Sequence, residues 1–185
     1  MKSTEQLKNE HEGIKIMLDV LEHIAEQVEK GKISRLEDED IRNTVTFFRE
    51  FADKCHHTKE ERELFPTLEK AGIQKEGGPI GVMLDEHEMG RNHIKAMLES
   101  LDDLAESEIA AGKFVDNAYA YVELLRQHIE KENDILFRMA DLSLGSDMDN
   151  KLFQRFEEIE EKEMGEGIHE KYHEMIDKYR EKFLK

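Results

Sequence analysis

Apolar side chains recur in this chain at alternating spacings of three and four residues, the period of a helix that packs along one stripe. Such rows run through residues 7–28, 80–101 and 118–139, and a broader apolar arc covers residues 47–68. Connections between these segments are short, which favours neighbouring helices that alternate in direction. The pattern predicts an all-α fold, an up-and-down four-helix bundle with helices over residues 3–30, 38–70, 79–110 and 113–140.

Side chains of metal-ligand type interrupt these apolar rows. An apolar seam rarely carries ionisable groups unless something offsets the cost of their desolvation. With helices in alternating directions, all of them fall in one layer, about 12 Å from one end of the bundle at a rise of ~1.5 Å per residue. We therefore expect a metal pair bound by His11, His57, Glu61, His87, His128 and Glu132.

The spacing of the acidic ligands supports a pair of ions. Glu61 follows His57, and Glu132 follows His128, by four residues, so each pair shares one helix face. Imidazole suits iron, copper, zinc and nickel, whereas a carboxylate can span two metals and partly neutralise them. Iron is the metal that we expect first.

Composition excludes several partners. The chain has 185 residues with 44 acidic and 27 basic side chains, a formal net charge of −17. Nucleic acids and anionic lipids both require a basic surface, so neither is expected to bind. No apolar stretch approaches the ~18 residues of a membrane span, and the charged start MKSTEQLKNEHE is unlike a secretory signal, so we expect a cytoplasmic protein.

The chain length fits one core. We expect a bundle over residues 1–142 and a C-terminal helical extension over 143–185 that packs on it. This fifth amphipathic segment is kinked or split by Gly165 and Gly167. The other helix breaks are predicted at residues 31–36, 71–79, 111–112 and 144–147.

Other reactive side chains are expected to play structural roles. The single cysteine, Cys55, excludes an intramolecular disulfide and is interpreted as a small packing residue. His56 points about 100° away from His57 on an ideal helix, which predicts a position at the helix surface. Three further histidines fall outside the common layer and are interpreted as surface residues or as residues that support the ligands from outside: His23, His93 and His173.

Four sequence stretches resemble the hemerythrin-like, or HHE cation-binding, domain. They are HHTKEERELFP at 56–66, HIEKENDILF at 128–137, and EHE at both 10–12 and 86–88. The resemblance covers about residues 5–140. It implies a four-helix bundle that holds two non-haem iron ions, with an oxo or hydroxo bridge. It also implies the same six ligands, with Glu61 and Glu132 bridging the irons.

The sequence departs from the oxygen-carrying members of that family on the third helix. Those proteins have a second histidine there, in an HxxxH arrangement, whereas here Met83 and Arg91 lie one turn either side of His87. One ligand is therefore missing or replaced. The candidates for a seventh donor are His56, Glu60, Glu86, His169, water or an exogenous ligand. Arg91 is expected to pair with Glu86, Glu88 or a ligand carboxylate.

The resemblance implies a di-iron protein, a monomer or homodimer, that handles oxygen, peroxide, nitric oxide or iron itself. One alternative is a di-iron enzyme of the peroxidase, ferroxidase or nitric-oxide reductase kind, in which open coordination positions admit substrate. Another is a structural module with one zinc. His169 and Tyr172 on the C-terminal segment are expected to pack on the bundle, with a lid over the metal site as the alternative.

Overall fold

The computed structural model describes residues 1–165 and 167–185, and within them it is helical with no strand. The all-α prediction is confirmed. No helix among the described residues combines the length and the apolar character needed to cross a membrane. The α-helices are α1 (Lys2–Glu29), α2 (Asp38–Phe47), α3 (Phe65–Lys70), α4 (Pro79–Ser100), α5 (Glu108–Lys131), α6 (Phe137–Ser143), α7 (Ser146–Met164) and α8 (Ile168–Phe183).

Two of the four bundle helices contain π-helical stretches. The second bundle helix is continuous over residues 38–70, and π-helix over Phe48–His57 and Glu60–Leu64 joins α2 to α3. The fourth is continuous over residues 108–143, and π-helix over Glu132–Leu136 joins α5 to α6. A π turn closes i→i+5 rather than i→i+4 hydrogen bonds, so each turn holds more residues and the faces shift in register. All three stretches lie at or beside the predicted ligand layer.

The predicted break between the third and fourth helices was wrong. Helix α4 ends at Ser100 and α5 begins at Glu108, so Gly112 lies inside a helix instead of ending one. Ser107 caps α5 because its hydroxyl accepts a hydrogen bond from the Ala110 amide at 3.2 Å. A helix tolerates an interior glycine at a cost of about 1 kcal/mol, and the capping serine decides where α5 begins.

Buried apolar side chains form two clusters, one on each side of a polar layer. Along α1, Leu7 belongs to the smaller cluster and Ile14 to the larger, and His11 lies between them. The same order appears on α4, where His87 separates Met83 from Ile94. The histidines therefore occupy one level of the bundle, as their chain positions predicted.

The C-terminal segment divides at two glycines and packs against the bundle as α7 and α8. Gly165 and Gly167 have φ angles of +85° and +76°, a region that glycine adopts without strain. Ile176 of α8 joins the larger apolar cluster. Gly13 on α1 leaves room for α8, since a Cβ there would lie 2.9 Å from the Ile176 Cδ1 atom and the end of that side chain would have to shift.

Helix α7 supplies the N-terminal cap of α1. One carboxylate oxygen of Asp149 accepts a hydrogen bond from the Lys2 amide at 2.9 Å. The other accepts from the Ser3 amide at 3.0 Å and from the Ser3 hydroxyl at 2.6 Å. The first amides of a helix have no partner within the helix, so this buried carboxylate satisfies groups that would otherwise be orphaned.

Replacing Asp149 with alanine should therefore destabilise the fold by about 1–2 kcal/mol, the value of a lost N-cap. Thermal unfolding should show a fall of about 2–4 °C per kcal/mol. The hydrogen bonds from Ser3 and Lys2 lower the pKa of Asp149, although burial opposes them. The stabilisation is therefore complete above the unfolded pKa of about 3.9 and disappears as the pH falls below it.

The exposed Asp147, in the same first turn of α7, provides the control. Asp147→Ala should melt with the wild type at neutral pH. If Asp149→Ala melted no lower than Asp147→Ala, the capping role would be refuted.

Candidate metal centre

The polar layer contains two groups of side chains able to hold a metal ion. In each group the potential ligand atoms lie within 4.8 Å of one another, and every residue is buried. Glu60 belongs to both groups, so the groups adjoin. We refer to His11, His56, Glu60 and Glu132 as group 1, and to His57, Glu60, His87 and His128 as group 2.

The Glu60 carboxylate lies between the two groups. Its Oε1 atom is 3.6 Å from His56 Nε2, and its Oε2 atom is 3.5 Å from His87 Nε2. The side chain is fully buried, and neither oxygen has a hydrogen-bond partner among the described residues. Burial and the neighbouring Glu132 carboxylate raise the pKa of Glu60 well above its ordinary value. A cation at this place would supply the missing partner.

Glu132 occupies the matching position from the fourth bundle helix. Its Oε2 atom is 3.3 Å from the Nε2 atoms of both His11 and His128, which belong to different groups. Burial opposes its ionisation, but these two histidines lower the pKa of Glu132 well below the ordinary value. Two buried carboxylates thus lie side by side, each in contact with imidazoles of both groups.

The Nδ1 atoms of all five histidines in the two groups face oxygen atoms that lie outside the groups. The opposite nitrogens of His87 and His128 point inward, and these Nε2 atoms are 3.1 Å apart. Ligating histidines usually direct the second ring nitrogen to a carboxylate or carbonyl, which fixes the tautomer and the ring orientation. The outer partners are Asn133 for His11 at 2.9 Å, Glu10 for His56 at 2.7 Å, Glu61 for His87 at 2.7 Å, Glu86 for His128 at 2.9 Å, and Asp53 for His57 at 3.4 Å.

Burial keeps most of these imidazoles neutral, the form that binds metals. It lowers the pKa of His56 to about 3 and that of His87 well below the ordinary value. His128 behaves differently. Burial again disfavours the charged ring, but Glu132 and Glu86 outweigh it and raise the pKa of His128 to about 9.

Five of the six residues predicted as ligands from the sequence lie in these groups, and Glu61 does not. Its Oε1 atom accepts hydrogen bonds from His87 Nδ1 at 2.7 Å and from Arg91 at 2.5 Å. The Glu61 side chain is 27% exposed, whereas Glu60 is fully buried. The structure therefore places Glu60, not Glu61, between the groups, and Glu61 orients His87 from outside.

His56 is buried, with 1% of its surface exposed, so the expected position at the helix surface was wrong. That expectation assumed the rotation of about 100° per residue of an ideal α-helix. The π-helical stretch Phe48–His57 holds more residues per turn, so adjacent side chains diverge less. His56 and His57 consequently both face the layer, one in each group.

A repeated motif in the sequence also matches Glu60, rather than Glu61, to Glu132. HHTKE at 56–60 and HIEKE at 128–132 both read H-x-x-K-E, and each is preceded on the previous bundle helix by a Glu-His dipeptide. In this alignment Glu60 matches Glu132, and Glu61 matches Asn133. Glu61 and Asn133 each accept a hydrogen bond from the histidine of a Glu-His dipeptide, His87 and His11 respectively. The two halves of the bundle thus share a Glu-His dipeptide followed by an H-x-x-K-E motif.

His57 adds a third histidine to group 2, beside His87 and His128. Its counterpart in the repeat is Ile129, so it has no equivalent in the other half. The ring stacks on His87, with centroids 3.8 Å apart and planes at 14°. Arg91 bonds to Asp53 at 2.8 Å and to Glu61. Glu61 is one of the predicted ligand carboxylates, whereas the contact with Asp53 was not expected.

The three histidines that were predicted to fall outside the layer do lie away from the two groups. His23 packs near Phe183, His93 bonds to Asn117 at 2.9 Å, and His173 is exposed. Burial raises the pKa of Cys55 to about 12, as fits a packing residue. The side chain of His169 falls outside the described residues.

Comparison with known families supports this interpretation. The model of the hemerythrin HHE cation-binding domain matches residues 2–140, three quarters of the chain. The chain belongs to the hemerythrin HHE cation-binding family. Nothing among the curated proteins or the solved structures matches it. In this hemerythrin-like chain the buried histidine and glutamate groups fit a metal site, while α7 and α8 lie beyond the matched residues.

Without a metal, Glu60 should destabilise the fold. Because its pKa is raised in the folded state, the penalty begins as the pH rises above the unfolded value of about 4.3. In chelator-treated protein at neutral pH, Glu60→Gln should be more stable than the wild type by about 1–3 kcal/mol, because glutamine has a similar shape but places no charge in the buried site.

Urea unfolding of both proteins at pH 4 and pH 7 measures this difference. The gain should shrink to a few tenths of a kcal/mol at pH 4, where the wild-type carboxyl is mostly protonated in both states. If Glu60→Gln were no more stable than the wild type at pH 7, the proposed penalty of the buried Glu60 charge would be contradicted.

Proposed function

We propose that this protein is a non-haem di-iron protein that binds small ligands such as oxygen, nitric oxide or peroxide. One observation carries the proposal: Glu60 and Glu132 each contact histidines of both groups. Two shared carboxylates favour a bridged metal pair, because a single tetrahedral zinc site uses four donors and leaves no carboxylate to share. Mixed imidazole and carboxylate donors suit iron.

The proposed ligand set differs by residue from the one that the sequence suggested. His11 and His56 would hold one ion, and three histidines, His57, His87 and His128, would hold the other. Glu60 and Glu132 would bridge both. The ion of group 1 therefore has fewer protein donors than the ion of group 2. An iron pair supplies redox chemistry and an open coordination position for a diatomic ligand.

The surroundings of the layer select for small ligands. All of the proposed ligand residues are at most 4% exposed. Phe137 stacks on His11 at 5.6 Å between centroids, and Phe65 stacks on His87 at 5.8 Å. These rings close the layer on the side of the smaller apolar cluster. A large substrate has no direct approach, and the chain's own role is to exclude water while holding the imidazoles in place.

Anaerobic titration of the metal-free protein with Fe²⁺ should give two equivalents per chain. Glu60→Ala and Glu132→Ala should each abolish tight binding of the pair, because each removes a donor shared by both ions. Glu61→Ala should still bind two equivalents, since its carboxylate only supports His87 from outside. His23→Ala provides a control away from the layer. Calorimetry and elemental analysis give the stoichiometries.

Two outcomes would refute the proposal. Retention of a single tightly bound zinc without any uptake of iron would favour a structural zinc module. Loss of the pair in Glu61→Ala but not in Glu60→Ala would show that the register of the bridging carboxylates is wrong.

Metal removal should lower the melting temperature, because ions that bind only the folded chain stabilise it by mass action. A ligand present at about 100 times its Kd contributes about 2.7 kcal/mol. The metal-dependent part of the stability should shrink on acidification, since protons compete for imidazole and carboxylate. Calorimetric scans with and without chelator at pH 5 and pH 7.5 test this. If the chelator changed the melting temperature equally at both pH values, or not at all, the prediction would be contradicted.

A further inference from the structure

Lys59 is a buried cation held by two carboxylates from different parts of the chain. Its side chain is fully buried, and its Nζ atom lies 2.6 Å from a Glu10 oxygen and 2.8 Å from a Glu160 oxygen. Glu10 belongs to α1, whereas Glu160 belongs to α7, outside the residues that match the family. A buried ammonium requires such partners, because desolvation otherwise makes the charge costly.

The same Glu10 carboxylate also orients a proposed metal ligand. Its other oxygen lies 2.7 Å from His56 Nδ1, and His56 belongs to group 1. A continuous series of hydrogen bonds therefore runs from Glu160 through Lys59 and Glu10 to His56. Carboxylates behind ligating histidines raise the basicity of the ring and fix its orientation.

The other half of the bundle contains the same arrangement without the C-terminal carboxylate. Glu86 bonds to His128 Nδ1 at 2.9 Å and also to the Lys131 ammonium group. Lys131, however, is 35% exposed, so water solvates its charge. In the first half, Glu160 of α7 takes the place that solvent has in the second.

We propose that Glu160 is a positioning residue of the metal centre, which acts through Lys59 and Glu10 to hold His56 as a strong ligand of the group 1 ion. This rests on the proposed function, in which group 1 binds one ion of the pair. Helix α7 is then a functional part of the centre as well as a packing element.

The direction of the effect follows from charge. With Glu160 present, Lys59 shares its three N–H donors between two carboxylates, and Glu10 keeps electron density for the proton on His56 Nδ1. Without that charge, Lys59 would interact with Glu10 alone and weaken it as an acceptor. The region around group 1 would also become more positive, which disfavours a bound cation. The first effect weakens His56 as a ligand, and the second weakens the binding of the group 1 ion.

Glu160→Gln tests the proposal because it removes the charge and keeps the shape. Wild type and variant are loaded anaerobically with Fe²⁺, and release of iron to a chelator is followed. One of the two equivalents should leave about tenfold faster from the variant, at the low end of the effect of an outer partner. The other should be released within twofold of the wild-type rate. Glu160→Asp, which keeps the charge, should restore slow release at least in part.

Glu163→Gln is the matched control. Glu163 lies on α7, as Glu160 does, and it binds Arg62, which lies on the same bundle helix as Lys59, at 2.7 Å. Its loss therefore also removes an ion pair between α7 and the bundle. This pair does not include Lys59. Glu163→Gln should release both equivalents at the wild-type rates.

A second measurement needs no metal. Nitrogen-15 NMR of the metal-free protein reports the tautomer of each imidazole. His56 should be fixed with its proton on Nδ1 in the wild type and in Glu163→Gln, and should shift toward a mixture in Glu160→Gln. His128 should be the same in all three proteins, since its outer partner Glu86 is in the other half.

The outcomes separate the two proposals. If the wild type binds no iron pair, the di-iron function fails, and the NMR shift of His56 alone still tests the contact series. If the wild type binds two equivalents but Glu160→Gln and Glu163→Gln behave alike in release and in the NMR spectra, the positioning role of Glu160 is refuted.

Discussion

The burial of two carboxylates and five imidazoles in one layer of an apolar bundle is the constraint on which the rest of this structure depends. Glu60 and Glu132 are fully buried and lack hydrogen-bond partners among the described residues, so the layer is costly without a cation. Other features serve to make the layer possible. The π-helical stretch Phe48–His57 lets the consecutive His56 and His57 both face the layer, and an outer ring of oxygen atoms orients the imidazoles. Apolar clusters on both sides exclude water.

Much of this was accessible from the sequence, and the failures have physical causes. The period of the apolar rows predicted the bundle, and chain positions placed the histidines at one level, because both depend only on average helix geometry. The choice between Glu60 and Glu61 depends on rotation within a single turn, which an ideal α-helix misjudges where π turns intervene. The start of α5 depended on one hydrogen bond of Ser107, a local effect that outweighed the glycine signal at Gly112.

The two halves of the bundle repeat one another, and their differences give the centre its asymmetry. His57 replaces the equivalent of Ile129 and adds a third imidazole to group 2. The carboxylate of Glu61 replaces the neutral amide of Asn133 behind the corresponding histidine. Group 2 thus has more carboxylates directly behind its histidines, and more nitrogen donors, than group 1. An almost symmetric scaffold in this way offers two unequal groups of potential metal ligands.

The separation of the apolar core into two clusters has a consequence for how the chain unfolds. Leu7 and Leu64 lie on one side of the layer, and Ile14 and Ala52 on the other, so the polar layer interrupts the packing that would join them. Regions with few shared apolar contacts can open separately, as cooperative units of different stability. Ions that bridge the four helices would join the two blocks into one unit, so that the amides at the end of the bundle near Leu7 exchange with solvent only when the whole chain opens. Ions bound as proposed would therefore set the cooperativity of unfolding.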